Sequence, residues 1–168
     1  LCASMKKFLK YSLYELAYLF IVFVLAIMFI VTAKADLTKP NNNIKPYEVV
    51  KIQLTGLMDN DIPNKNSGIK QTWEFAHPSN KKYTGPLSRF ISLLNNESYK
   101  MLLNHVENKI IEVFKSNSRH GFEVTILAKN KNYYKFQWVV EKYHKEGPLK
   151  DCWLTITVSN PISLGSSI

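Results

Sequence analysis

The amino-acid sequence predicts an α+β domain that follows a membrane-spanning helix. Three features support this prediction: an uncharged apolar run near the N-terminus, helical spacing of apolar residues in the next part of the chain, and strand-like alternation in the last part. The chain has 168 residues, of which 46% are hydrophobic and 21% are charged. This composition is typical of one ordinary folded domain with a short extra segment and excludes a wholly disordered or collagen-like protein.

The chain is strongly basic, with a formal net charge of +9 that comes from 20 lysines and 2 arginines against 13 acidic residues. A nucleic-acid-binding surface would more often group arginines among exposed aromatic residues, whereas these lysines are scattered. We therefore expect no nucleic-acid partner and expect attraction to an anionic lipid bilayer instead. Two cysteines, Cys2 and Cys152, are too few for a disulfide-rich miniprotein or a cysteine-rich zinc module. Cys152 is expected to be a buried strand residue.

The apolar run at residues 16–33 predicts a helix that crosses a membrane. At a rise of about 1.5 Å per residue this run spans about 27 Å, close to the bilayer's hydrocarbon thickness of about 30 Å. We place a transmembrane or signal-anchor helix at residues 11–33, after a basic cytoplasmic start at residues 1–10. One interpretation makes residues 1–4 an upstream extension before Met5.

Two placements of the remaining chain stay open. With a retained anchor, the folded domain is expected outside the cytoplasm, in a periplasm or thylakoid lumen, because long C-terminal domains are translocated largely regardless of charge. With cleavage at the small-x-small site Ala33-Lys34-Ala35, the chain would be an exported soluble protein. The length of the apolar run, which exceeds a usual signal-peptide core, favours the anchor.

Residues 34–45 are polar and rich in turn-forming residues, so they predict a linker before a domain at residues 46–168. Apolar residues at helical spacing, such as Val50, Leu54 and Leu57, predict helices in the first half of this domain. Four helices are expected: one from Pro46, one over Ile69–Ala76 that Pro78 ends, one opened by Gly85-Pro86, and a short one over Glu97–Asn104.

Alternating apolar and polar residues predict strands in the second half. The predicted strands are Val106–Lys115, Gly121–Lys129, Tyr133–Tyr143 and Cys152–Ser159. Mixed alternation in the first predicted strand indicates a bulge. Alternation in the last predicted strand places Leu154 and Ile156 on one face and Thr155 on the other. Residues 164–167 are expected to form a tail. Because no helix separates the strands, we expect a curved antiparallel sheet of about four strands with the helices packed on its apolar face.

The order of elements and four stretches of sequence resemble a known group of domains. The stretches are Pro46–Gln53 (PYEVVKIQ), Gly68–Pro78 (GIKQTWEFAHP), Thr84–Phe90 (TGPLSRF) and Cys152–Val158 (CWLTITV). The domain resembles the nuclear transport factor 2-like, cystatin-like cone folds, and within them a domain-of-unknown-function family of small membrane or exported proteins from cyanobacteria and other bacteria. The resemblance implies a helix-lined cone whose curved sheet wraps a pocket, and a homodimer through the sheet. It implies no particular reaction, because such cones include isomerases, dehydratases and binding domains.

His77 is the best single candidate for acid–base chemistry. It follows the second predicted helix, where the helix macrodipole would stabilise its charged form. A functional interpretation makes it an acid or base at the mouth of the pocket, with Asp61 or Glu74 as the carboxylate partner. The alternative is a structural cap that satisfies the last helical carbonyls.

Arg89, Trp73 and Trp138 are the candidate ligand-binding residues. Arg89 is notable in a lysine-rich chain, because its guanidinium group can clamp a carboxylate or phosphate. The two tryptophans are expected either to line an apolar pocket or to pack in the core. The sequence has no metal-ligand spacing of histidines, no GxSxG motif and no phosphate loop, so we expect neither a metal site nor a cofactor.

Two functional hypotheses follow from these patterns. The first is a membrane-anchored, non-enzymatic binding or scaffold domain that takes a protein partner or a small ligand. The second is a small lyase or isomerase that uses the cone pocket with His77 and a carboxylate. The second hypothesis predicts that His77, Arg89 and either Asp61 or Glu74 come together around one substrate.

Overall fold

The computed structural model describes Glu15, residues 17–24 and residues 36–166. The chain divides into two compact units, Leu1–Asp36 and Leu37–Ile168. In the first unit, Glu15 and residues 17–24 are helical, and every side chain from Tyr18 to Val24 is exposed. No helix within the described residues combines the length and apolarity needed to cross a bilayer. Most of the predicted membrane helix at residues 11–33 lies outside the described residues.

The second unit begins with helices. They are α1 (Pro46–Met58), α2 (Ser67–Glu74), α3 (Pro78–Thr84), α4 (Leu87–Leu94) and a 3-10 turn at Lys100–Leu102. α1 begins at Pro46 as predicted, since the fixed φ of proline suits the first helical position and its missing N–H is not needed there. The preceding N–H, that of Lys45, donates to Oε2 of Glu48 at 2.7 Å and so helps to fix this start.

The second predicted helix does end before Pro78, at Glu74. The sequence prediction missed α3, which Pro78 begins because a proline that blocks a helix interior is well suited to a first turn. One helical prediction is wrong. The predicted helix over Glu97–Asn104 is reduced to the single 3-10 turn. Asn104 has a positive φ of 54°, and its N–H donates to the carbonyl of Leu57 in α1 at 2.7 Å, so the backbone leaves helical geometry to join another element.

One antiparallel sheet follows the helices. Its strands are β1 (Glu107–Lys115), β2 (Arg119–Leu127), β3 (Asn132–Lys142), β4 (Trp153–Val158) and β5 (Ile162–Ser166). The register of β1 against β2 shifts between Glu112 and Phe114, which is the predicted bulge. β4 pairs with the second half of β3 and β5 with its first half, so both occupy the same edge. The α+β prediction is confirmed, and β5 replaces most of the expected tail.

The core lies between α1 and the inward face of the sheet. Alternate residues of β2 and β3 meet the apolar stripe of α1, and all of these side chains are buried: Val49, Val50, Leu54, Leu57, Phe122, Val124, Ile126, Phe136, Trp138 and Val140. Cys152 is buried as expected, and burial raises the pKa of its thiol. The two periodicities in the sequence therefore correspond to the two surfaces that the fold brings together.

Candidate functional site

A cavity of about 450 Å³ lies between the helices and strands β3 and β4. This volume is in the range of small-molecule binding sites. Most of its wall is apolar, and the main contributors are Leu57, Phe90, Leu93, Leu94, Ile156 and Val158. Tyr83, which is 89% exposed, also lines the cavity and marks its opening to solvent. The cavity therefore offers a shielded apolar volume that can be reached from outside.

A buried hydrogen-bonded network forms the polar part of this cavity wall. The Nε1–H of Trp138 donates to Oε1 of Gln53 at 3.1 Å and to Oγ1 of Thr155 at 3.2 Å. The hydroxyl of Thr155 in turn donates to the same Gln53 oxygen at 2.6 Å. The amide nitrogen of Gln53 donates to the carbonyl of Thr72 in α2 at 3.0 Å. Because these groups satisfy one another, the network stabilises the fold and leaves apolar contact as the main attraction for a ligand.

Thr155 reaches this network because β4 contains a bulge that the sequence pattern does not show. Val139 pairs with Thr157, but the next residue of β3, Val140, pairs with Thr155. The extra residue, Ile156, changes the phase of alternation, so Leu154 and Thr155 are both buried. The predicted outward position of Thr155 is therefore wrong.

A second, more polar cleft of about 410 Å³ contains His77. Its other lining residues are Pro78, Ser79, Lys82, Glu141, Lys142, Tyr143, His144 and Lys145. The backbone N–H of His77 donates to the carbonyl of Thr155 at 2.8 Å, which adds this segment to the edge of β4. Ser79 lines both the cleft and the apolar cavity. The polar and apolar spaces therefore adjoin at one serine.

The imidazole of His77 has a defined tautomer. Its Nδ1 accepts the backbone N–H of Ser79 at 3.1 Å and lies 2.5 Å from the Ser79 hydroxyl oxygen. The proton of the neutral ring is therefore on Nε2, which lies 4.0 Å from Oε1 of Glu141. Burial lowers the pKa of His77, while Glu141 opposes this effect and Lys145 and Arg119 reinforce it. The ring is therefore neutral near pH 7 and can accept a proton.

The prediction that His77 lies at a helix C-terminus is wrong. α2 ends at Glu74, and His77 is the N-cap of α3, so no helix C-terminus stabilises its charged form. Burial of the ring, the largest effect, moves the pKa of His77 down. His77 does act as a cap, but its ring accepts an N–H at a helix start and does not donate to carbonyls at a helix end.

The carboxylate next to His77 is Glu141, in place of Asp61 or Glu74. Glu74 pairs with Lys39 at 2.9 Å. Asp61 accepts the backbone N–H of Asn66 at 2.9 Å, and this bond is the main cause of the lowered pKa of Asp61. Glu141 is carried by β3 and forms an ion pair with Arg119 of β2. The pairing of strands therefore determines which carboxylate lies beside His77, and spacing along the chain could not reveal it.

The three predicted ligand-binding residues occupy different places. Trp138 lines the cavity and is buried. Trp73 is half-buried and packs against Phe90, with ring centroids 5.0 Å apart, and does not line the cavity. Arg89 is exposed on α4 and lines neither space. Sequence reasoning missed Gln53 and Ser79, although the N-cap triplet His77-Pro78-Ser79 carries a helix-start signal that would have placed Ser79 beside the ring.

His105 illustrates a histidine with a structural role. It is buried, its Nδ1 bonds the carbonyl of Leu102 at 2.8 Å, and its Nε2 accepts from the Asn108 amide at 3.0 Å. Burial lowers the pKa of His105, which agrees with the neutral ring that these two bonds require. Within residues 36–166 and the described part of the N-terminal unit, no three His, Cys, Asp or Glu side chains are grouped to hold a metal ion.

Comparison of the chain with protein-family models, with curated proteins and with solved structures gives no match.

Proposed function

We propose that this protein is a membrane-tethered binding domain that holds a small apolar molecule in the cavity between its helices and its sheet. The observation that carries this proposal is the cavity of about 450 Å³, whose wall is mainly apolar and whose buried polar groups bond one another. A cavity between helices and an antiparallel sheet also supports the resemblance to the nuclear transport factor 2-like cones, which stays part of the proposal.

The membrane part of the proposal is supported by the exposed residues of the N-terminal unit. Seven consecutive large side chains, Tyr18–Val24, are each at least 39% exposed on a helical segment. Contiguous exposed apolar surface of this kind is typical of a membrane contact. The lipid bilayer is therefore the partner we propose for this unit, with the second unit outside the cytoplasm.

We expect a bulky side chain at Leu93 to block ligand binding. Leu93 lines the cavity from α4, so Leu93→Trp fills part of its volume, whereas Ser92→Trp adds the same ring at an exposed neighbour outside the cavity wall. The full chain in lipid nanodiscs would be irradiated with an octyl diazirine, and crosslinked residues mapped by mass spectrometry. Crosslinking on β4 should fall at least about tenfold in Leu93→Trp, equivalent to about 1.4 kcal/mol.

The control variant Ser92→Trp should keep crosslinking within about twofold of the unsubstituted chain. Equal crosslinking of β4 in the two tryptophan variants would mean that the probe does not enter the cavity. Crosslinks confined to residues 17–24 would contradict cavity binding in the same way.

We expect two charges in the N-terminal unit to release the chain from membranes. Each acidic residue near the centre of a membrane helix opposes insertion by about 2.5–3.5 kcal/mol. The double variant Phe20→Asp with Phe23→Asp should therefore move from the carbonate-washed membrane pellet to the supernatant. The matched control, Ile162→Asp with Leu164→Asp, places two charges at exposed apolar positions of β5 and should stay in the pellet. An unsubstituted chain in the supernatant, with or without cleavage after Ala35, would contradict the tether.

A further inference from the structure

The serine that separates the two spaces lies against the neutral histidine. The Ser79 hydroxyl is 2.5 Å from Nδ1 of His77, and the opposite ring nitrogen faces Glu141 at 4.0 Å. A hydroxyl, an imidazole and a carboxylate in this order form the arrangement that activates a serine nucleophile. We infer that Ser79, His77 and Glu141 form a site that hydrolyses carboxylic esters whose apolar acyl group lies in the cavity. This inference rests on the proposed function for its acyl pocket.

Each of the three groups has a role that the geometry supports. Ser79 is exposed and lines both spaces, so an ester carbonyl can reach its oxygen with the acyl chain on the cavity side. The side chain of His77 is only 12% exposed, which protects the base from bulk water. Glu141 is paired with Arg119, so it is a positioning residue whose orientation is fixed from a neighbouring strand. A separation of 4.0 Å is compatible with tightening when substrate binds.

The reaction balances with water as the only co-reactant. Ser79 Oγ attacks the ester carbonyl carbon as its proton passes to Nδ1 of His77, which then no longer accepts the Ser79 backbone N–H, and the ester C–O bond then breaks. The departing alkoxide takes that proton and leaves as an alcohol. Water next gives a proton to Nδ1 and attacks the acyl-serine, which releases a carboxylic acid and returns the proton to Ser79. Cationic residues that line the cleft, Lys82 and Lys145, are suited to stabilise the transient oxyanion.

The pH dependence of this site follows from the groups around His77. The charged and titratable neighbours are Glu141, Arg119, Lys145, Lys82, Lys142, Tyr143 and His144. Burial is the largest effect and lowers the pKa of His77 below 6.5. Reactivity of Ser79 should therefore rise with pH through an inflection below 6.5, as the ring loses its proton. Because Glu141 raises the pKa, Glu141→Gln should move the inflection to lower pH, which a purely structural role would not do.

The test uses the full chain in lipid nanodiscs and an octyl fluorophosphonate, which labels activated serines. Mass spectrometry should locate the adduct at Ser79, and Ser79→Ala should remove both the adduct and the hydrolysis of p-nitrophenyl octanoate. His77→Asn keeps an oxygen acceptor at the N-cap and should slow labelling at least about 100-fold. The matched control is Ser92→Ala, which removes a hydroxyl that donates to the Ser88 carbonyl at 3.2 Å and should leave labelling unchanged.

The inference would be overturned if Ser79 is labelled no faster than Ser92. It would also be overturned if the rate of Ser79 labelling in the unsubstituted chain shows no inflection below pH 6.5. If octyl diazirine still crosslinks the cavity in that case, the binding function stands and only the hydrolytic site falls. If Ser79 is labelled but Leu93→Trp does not slow the octyl reagent relative to an ethyl fluorophosphonate, the acyl pocket is wrong. If Leu93→Trp slows labelling by the octyl reagent relative to the ethyl reagent, the result supports both the hydrolytic site and the acyl pocket.

Discussion

Replacing Gly68 with alanine is expected to destabilise the second unit by about 3 kcal/mol or more. Gly68 lies in α2 where this helix crosses α1, and a Cβ built there would be 1.8 Å from the carbonyl oxygen of Gly56 and 2.9 Å from the Cα of Asn60. Both contacts are with backbone, so no side-chain rotation can relieve them. The helices must separate, which also disturbs the α2 side of the cavity.

Urea unfolding of the full chain in lipid nanodiscs, followed by tryptophan fluorescence, measures this change. The signal reports the second unit alone, because Trp73, Trp138 and Trp153 all lie there. The control is Lys70→Ala, an exposed position on the same helix, which should change the free energy of unfolding by less than about 0.5 kcal/mol. A Gly68→Ala variant as stable as Lys70→Ala would show that α1 and α2 do not approach as closely as described.

Replacing Gln53 with alanine should lower the free energy of unfolding by about 3–5 kcal/mol. The substitution removes the acceptor of the Thr155 hydroxyl and the donor to the Thr72 carbonyl, while Trp138 keeps Thr155 as its acceptor. Two buried polar groups are then left without their partner, and the missing side chain leaves an additional void. The loss should exceed that of an ordinary surface amide by several kcal/mol.

The matched control for Gln53 is another glutamine with two hydrogen bonds in an exposed setting. Gln71 accepts from the backbone N–H of Thr38 at 2.8 Å and donates to its carbonyl at 2.9 Å. Water can replace both bonds, so Gln71→Ala should cost less than about 1 kcal/mol in the same urea titration. Similar losses for Gln53→Ala and Gln71→Ala would contradict the buried network.

The stability effect of Gln53→Ala and the functional proposals depend on the same hydrogen-bonded network. Gln53 connects α1, α2 and the sheet at the cavity wall, and Thr155 connects that network to the segment that carries His77. A change that loosens the network is therefore expected to alter the position of His77 as well as stability. Octyl diazirine crosslinking of a folded but destabilised variant would show whether the cavity is lost with the network.

Local sequence was sufficient where the structure depends on local chemistry. The spacing of Val50, Leu54 and Leu57 requires one apolar helical face, and Pro46 is suited to a helix start. Alternation along β2 and β3 identified the buried positions, because each strand has one face against the helices. The α+β class followed from these two periodicities and from the absence of helical spacing between strands.

Only the tertiary structure decided which polar groups meet. Glu141 lies beside His77 because the His77 segment adds to β4 and β4 pairs with β3, a relation between residues 64 positions apart that no spacing rule encodes. Thr155 faces inward because pairing with β3 creates a bulge, and a bulge reverses alternation without changing the amino-acid pattern. The sequence by itself thus determined the elements and their apolar faces, since these arise from neighbours along the chain. The cavity and the nucleophile–base contact depend on pairing and packing between distant segments, where hydrogen-bond register decides the geometry.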